Sequence, residues 1–200
     1  MTASVPPDPV AGLVLAAGAG RRLGRPKATV EVAGERLVDR AVRVLTAAGA
    51  HPVHVVLGAA VAEVAGALVV DNRDWADGMG SSLRAGLTSL PADVRAVAIL
   101  LVDQPGVTAG AVALLLDAAV DDESVAVATY HGRRGHPVVI GRAHWADVAG
   151  SARGDAGARD FLRAQGDRVV EVEYSDVADD TDVDTPADLS QLRRLGPEPR

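Results

Sequence analysis

The chain has no cysteine, so disulfides, thiolate metal sites, iron–sulfur clusters and cysteine nucleophiles are excluded together. Aromatics are nearly absent: Trp75, Trp145, Tyr130, Tyr174 and Phe161 are the only five in 200 residues. The core must therefore be built from Ala, Val, Leu and Ile. Apolar runs stop at strand length, which leaves no segment to span a membrane. A net charge of −7 argues against nucleic acid as a partner, because a phosphate backbone calls for a basic face. Lysine is scarcest of all. Of twenty basic residues nineteen are arginine, and Lys27 is the single lysine.

Abundant Ala, Gly, Val and Arg fit the codon drift of a GC-rich genome, which converts lysines wherever an arginine can serve. The lysine that remains marks a place for a compact ammonium rather than a planar fork. With 24% charged and 48% hydrophobic residues, the composition is that of one ordinary soluble domain. Pro-rich segments at 1–9 and 196–200 read as tails flanking a domain over 10–195. The first residues carry no basic region or signal-like apolar stretch, so the expected location is cytoplasmic.

Between the tails, strand-length apolar runs alternate with amphipathic segments. Strands are expected at 10–16, 53–57, 67–71, 94–102, 124–130, 137–140 and 168–172. Helices are expected at 37–48, 81–90 and 108–120, and near 141–149, 156–165 and 186–195. This pattern predicts a single-domain α/β fold, three-layered α/β/α and Rossmann-like, with a mainly parallel sheet. Ligands in such folds bind beyond the carboxyl ends of the strands.

The first strand runs into Leu15-Ala-Ala-Gly-Ala-Gly-Arg-Arg-Leu-Gly-Arg-Pro-Lys27. Glycines at 18, 20 and 24 allow backbone N–H groups to approach an anion, and Arg22 and Lys27 add charge. The dinucleotide fingerprint fails because Leu23 stands where its third Gly belongs, and no Gly-Lys-Ser/Thr of a Walker loop is present. A triphosphate suits what remains.

The strongest strand ends in Asp103-Gln-Pro105. Six further aspartates (176, 179, 180, 182, 184 and 188) lie between Ser175 and Leu189 with no basic residue among them. Thr185, Pro186 and Asp188 read as the capped start of a helix, which leaves Asp182 and Asp184 unaccounted for. Two carboxylates from separate loops suit Mg²⁺, which takes one or two acids plus substrate phosphates. Ser81 or Ser82 reads locally as a helix cap, and Trp75 as a packing anchor. The five histidines show no zinc-ligand spacing.

The 15–27 segment resembles the signature Leu-x-x-Gly-x-Gly-x-Arg-x-Gly-x-x-Lys of sugar-1-phosphate and cofactor nucleotidyltransferases, and within them the MobA-like group. Asp103-Gln-Pro and Asp182-x-Asp184-Thr-Pro-x-Asp-Leu are similar to two more of its motifs. The resemblance implies a nucleotide site at Ala16, Ala17, Gly18, Gly20, Arg22, Lys27, Gly80, Ser81, Ser82 and Asp103, with Arg22, Lys27 and Asp103 catalytic. It implies Mg²⁺ on Asp103 and Asp184, and an acceptor facing His136, Asp155 and Arg159. Ala16-Ala17 is similar to the cytidylyl-transferring members. The implied reaction moves CMP from CTP to molybdopterin, with transient contact with molybdoenzyme maturation proteins.

Two other readings stay open within the resemblance: another phosphorylated acceptor such as a sugar 1-phosphate, or a non-catalytic nucleotide-binding module. A third comes from proteins similar to this group that are NAD(P)H-dependent reductases of the pigment nicotine blue.

Overall fold

A computed structural model describes residues 9–194, so the expected tails lie outside the described residues apart from Pro9. The strands are β1 (Val10–Leu15), β2 (Glu31–Val32), β3 (Glu35–Arg36), β4 (Val53–Leu57), β5 (Leu68–Asp71), β6 (Ala96–Leu101), β7 (Val125–Tyr130), β8 (Arg133–Gly141) and β9 (Val170–Glu173). The helices are α1 (Leu37–Ala47), α2 (Met79–Ser89), α3 (Ala109–Asp117), α4 (Trp145–Ser151), α5 (Arg159–Gln165) and α6 (Pro186–Arg194).

β1 is buried along its whole length, and its side chains alternate between two cores. Val10 and Val14 join one cluster with Leu37, Val38 and Leu45 of α1 and Val112 and Leu115 of α3. Leu13 and Leu15 join the other with Leu83 and Leu87 of α2, Val148 of α4 and Phe161 of α5. A strand covered on both faces in this way has no polar side, which is why its sequence reads as a continuous apolar run. Leu37, Val38, Ala41, Val42, Val44 and Leu45 form the buried stripe of α1. Bidentate pairing of Arg36 with Asp39 secures the first turn of that helix.

The main sheet has the order β5-β4-β1-β6-β8-β7-β9, and β2 and β3 form a separate hairpin. β5, β4, β1 and β6 are parallel neighbours, and β7 and β9 pair in parallel. β8 alone runs against both of its neighbours. The sequence gives only residues 137–140 as a strand here. The observed strand starts at Arg133 because His131 and Gly132, both at positive φ, close a tight hairpin from β7.

β1 lies between β4 and β6: the chain runs outward from it through β4 and β5, then returns to β6 on its other side. This is the switch point where an α/β sheet opens a crevice. Leu15 and Leu101 stand in register at the carboxyl ends of β1 and β6, so the loops at 16–27 and 102–107 emerge side by side.

Gly20 shapes the first of these loops. Its φ is +57°, and a Cβ there would stand 2.1 Å from the carbonyl oxygen of Arg25. Gly20→Ala is expected to cost about 2–3 kcal/mol, and so to lower the melting temperature by roughly 5–10 °C. Differential scanning calorimetry checks this. An unchanged melting temperature would mean that the loop relaxes freely.

Candidate active site

The residues after β1 and β6 converge with the segment that precedes α6. That segment is pinned in place: the Val183 N–H donates to the Asp103 carbonyl at 2.8 Å, and the Asp179 N–H to the Gly106 carbonyl at 3.3 Å. The absence of a side chain at Gly106 permits the second approach, because a Cβ would lie 2.6 Å from the Asp179 carbonyl oxygen. Asp188 accepts from the N–H groups of Asp184 and Thr185, and Thr185 Oγ1 accepts from Asp188 N–H. This is the expected capping box, and it uses up Asp188. Asp184 is left facing Asp103.

Lys27 stands between these two acids. Its Nζ donates to Asp103 Oδ2 and to Asp184 Oδ1, both at 2.5 Å. Arg22 pairs with the other oxygen of Asp184 at 2.7 Å. Burial pulls the Lys27 pKa down, but the hydrogen bonds and charges of Asp103 and Asp184 outweigh it and the net shift is upward. The hydrogen bond from Lys27 leads in holding Asp184 below the usual carboxylate range, against partial burial. Lys27 is thus a fixed cation and Asp184 a fixed anion near neutral pH. Asp182 sits at the edge of this group, where it accepts from Gln104 Nε2 at 3.1 Å. Burial first, then the charge of Asp103, pushes its carboxyl up.

Beside the triad lies a cavity of about 390 Å³, lined by Ala17, Gly18, Ala19, Arg21, Lys27, Asp103 and residues of the 75–82 segment. A second cavity of about 470 Å³ is lined by Arg134, His136, Asp155, Arg159 and Leu162, among others. Met79 and Asp155 line both, so the two spaces adjoin. His136 faces the second cavity, and burial pulls its imidazole down to about 4, against the charge of Asp103. It is a neutral ring at physiological pH. Asp155 Oδ1 accepts from the Met79 N–H at 3.4 Å, at the first turn of α2.

The cavities gather Ala17, Gly18, Lys27, Ser82 and Asp103 at one and His136, Asp155 and Arg159 at the other, with Arg22 and Asp184 alongside. Four other expected residues do not line either cavity, and each has a structural role. Ala16 is 1% exposed, and its N–H is spent on the Val56 carbonyl, which continues the sheet. Gly20 turns the loop without lining the cavity. Gly80 lets α2 pack on the chain at 152–153, where a Cβ would lie 2.9 Å from Arg153 N. Ser81 donates to the Asp74 and Gly78 carbonyls and is buried.

Neither Ser81 nor Ser82 caps α2: the helix begins at Met79, with Gly78 at the cap position. Trp75 packs against Gly58, as a packing anchor should, yet it also lines the first cavity. Two residues went unread in the sequence. Arg21 lines the cavity while Arg22 leaves it for Asp184, and nothing in Arg-Arg says which one turns inward. Asn72 is 5% exposed and donates to the hydroxyls of Ser81 and Ser82. An amide directly after a strand was the available signal.

Known proteins resemble this chain in sequence and fold. Nicotine blue oxidoreductase of Paenarthrobacter nicotinovorans is 39% identical over 200 residues, covering 93% of this chain and 96% of that protein. A probable molybdenum cofactor guanylyltransferase of Opitutus terrae is 39% identical over 102 residues, 50% of each. The crystal structure of the Rv0371c homolog from Mycobacterium sp. strain JC1 superposes with a TM-score of 0.78 at 30% identity, over 93% of this chain and 98% of that one. Rv0371c of Mycobacterium tuberculosis, solved in complex with manganese, has the same fold at 23% identity and a TM-score of 0.72, over 93% of this chain and 98% of that one. The MobA-like NTP transferase domain model matches residues 12–169, and the chain belongs to that family.

Proposed function

We propose that this protein is a metal-dependent nucleotidyltransferase that moves CMP from CTP to a phosphate-bearing acceptor, molybdopterin first among candidates, and releases pyrophosphate. The observation that carries this reading is the Lys27 ammonium held between Asp103 and Asp184, beside two adjoining cavities. An acceptor oxygen attacks the α-phosphorus in line, and the bond to the β-phosphate oxygen breaks. A phosphate monoester is already anionic near neutral pH, so the chemistry needs positioning and charge neutralisation more than a base.

The residues divide the work by position. Gly18 and Arg21 line the first cavity, where backbone and guanidinium receive the triphosphate. Lys27 offsets charge that builds between the α-phosphate and the departing pyrophosphate. Arg22 steadies Asp184. His136 and Arg159, across Met79 and Asp155, receive the acceptor in the second cavity.

Asp103 and Asp184 fit Mg²⁺ by donor type, being hard carboxylate oxygens, and they already converge on one positive charge. When bound there, the ion would supply Lewis-acid neutralisation of the phosphates. The manganese complex of Rv0371c supports a divalent ion in this fold. The Ala16-Ala17 pair, of which Ala17 lines the cavity, is similar in sequence to the cytidylyl-transferring members and supports CTP over GTP on that resemblance.

A second reading has its own support, the 39% identity to nicotine blue oxidoreductase over 93% of the chain. Hydride transfer from NAD(P)H would give Lys27 and the paired acids no task. One assay separates the two: the protein with Mg²⁺, each labelled NTP and molybdopterin, followed by pyrophosphate release. Release is expected with CTP above the other nucleotides. No release with any NTP, together with NAD(P)H oxidation in the presence of a dye acceptor, would establish the reductase instead.

A further inference from the structure

Ser82 is the one hydroxyl-bearing side chain lining the first cavity among the described residues. What that hydroxyl can offer a ligand is decided one layer back, at Asn72. The Asn72 Oδ1 accepts from the Asp74 N–H at 3.0 Å, and a backbone N–H can only donate. The amide is therefore fixed with its Nδ2 turned toward the serines. From there Nδ2 donates to Ser81 Oγ at 2.9 Å and to Ser82 Oγ at 3.0 Å.

Each serine oxygen that receives an amide proton must turn its own proton elsewhere. Ser81 spends its proton on the carbonyls of Asp74 and Gly78. Among the described residues Ser82 has no such acceptor. Its oxygen is satisfied, its proton is unspent, and its side chain borders the cavity. With one lone pair taken from that side, the hydroxyl proton must point away from Asn72 and is free to be donated to a ligand in the cavity.

We infer that Asn72 is a positioning residue that presets Ser82 as a hydrogen-bond donor to the bound nucleotide's base, selecting a carbonyl oxygen or unprotonated ring nitrogen at that point. This deepens the nucleotidyltransferase reading and rests on it. The cationic groups lining the first cavity, Arg21 and Lys27, serve the phosphates, while the lining also offers Ser82 beside the uncharged Trp75 and Met79. Cytosine presents such acceptors on its pairing edge. A base whose edge presents an N–H at the same point would leave the Ser82 proton without an acceptor in a buried position, which is the costly outcome.

The test is direct binding of CTP, GTP, UTP and ATP, read by tryptophan fluorescence and by calorimetry, to the parent, Ser82→Ala, Asn72→Asp and the double variant. Ser82→Ala removes one neutral hydrogen bond and is expected to weaken CTP binding about fivefold. Asn72→Asp keeps the shape but only accepts, so the Ser82 proton turns back toward it and a lone pair faces the base. CTP binding should fall at least tenfold, and the ranking of the four nucleotides should change. In the double variant the Asn72→Asp effect should shrink to within about twofold of Ser82→Ala alone, because there is no hydroxyl left to turn.

A purely structural Asn72 would instead weaken binding by the same factor with or without Ser82, which would overturn the inference. So would unchanged CTP binding in Ser82→Ala, a result that stands even if Asn72→Asp does not fold. Failure of the parent to bind any of the four nucleotides would overturn the nucleotidyltransferase reading itself, and this inference with it.

Discussion

Lys27→Arg is expected to lose at least about 100-fold in turnover while melting within a few degrees of the parent. The two carboxylates hold the ammonium at 2.5 Å on either side, and the lysine side chain is 17% exposed. A guanidinium keeps the positive charge, so the carboxylates stay compensated and the fold loses little. It cannot keep the position. Its nitrogens spread over a planar fork, and the charge centre moves away from the point where Asp103 and Asp184 converge. Stabilisation of a transition state depends on where a charge sits, and losing one preorganised group commonly costs about 10²–10³ in rate. Pyrophosphate release at saturating CTP, measured beside a melting curve, checks both halves. Near-parent turnover would show that the ammonium does not act at the reacting phosphorus.

The sequence made one lysine conspicuous, and the reason lies in what linear spacing can report. A loop after a buried strand is legible because glycine, arginine and lysine there have few structural tasks. The start of α6 is legible because a cap is a local arrangement: Thr185, Pro186 and Asp188 interact within four residues. That cap accounts for Asp188 and removes one acid from the run, while the motif resemblance is what singles out Asp184.

Long-range partners are what the sequence does not carry. Lys27 and Asp184 are 157 residues apart, and they meet because Val183 is hydrogen-bonded to Asp103. Ser81 and Ser82 look equivalent in Gly-Ser-Ser, yet successive positions on a helix point about 100° apart. One is turned to the Asp74 carbonyl and the other to the cavity. Arg21 and Arg22 separate for the same kind of reason. The reversal of β8 also escaped, because a buried strand reads the same in either direction.

The acid pair yields the other large effect. Asp103→Asn is expected to cut turnover by at least about 100-fold, since it removes one of the two anions that would hold the metal and one of the two that hold Lys27. Because both losses lower turnover, a metal-binding readout is needed to separate them. The Lys27 ammonium occupies the point on which Asp103 and Asp184 converge. For Asp103 and Asp184 to hold a divalent ion without a nucleotide, the Lys27 ammonium would have to move away from their point of convergence. An ion arriving with a triphosphate brings phosphate oxygens that can draw the ammonium aside.

Mn²⁺ titrated without nucleotide, followed by electron paramagnetic resonance, should therefore bind weakly to the parent. It should bind at least about tenfold more tightly to Lys27→Met, where Asp103 has lost its cation and Asp184 keeps only Arg22. Adding CTP should tighten Mn²⁺ binding in the parent and do so far less in Asp103→Asn. If Lys27→Met binds Mn²⁺ no better than the parent, the carboxylates are a clasp for lysine alone. The fall in turnover of Asp103→Asn would then be assigned to misplacement of the ammonium.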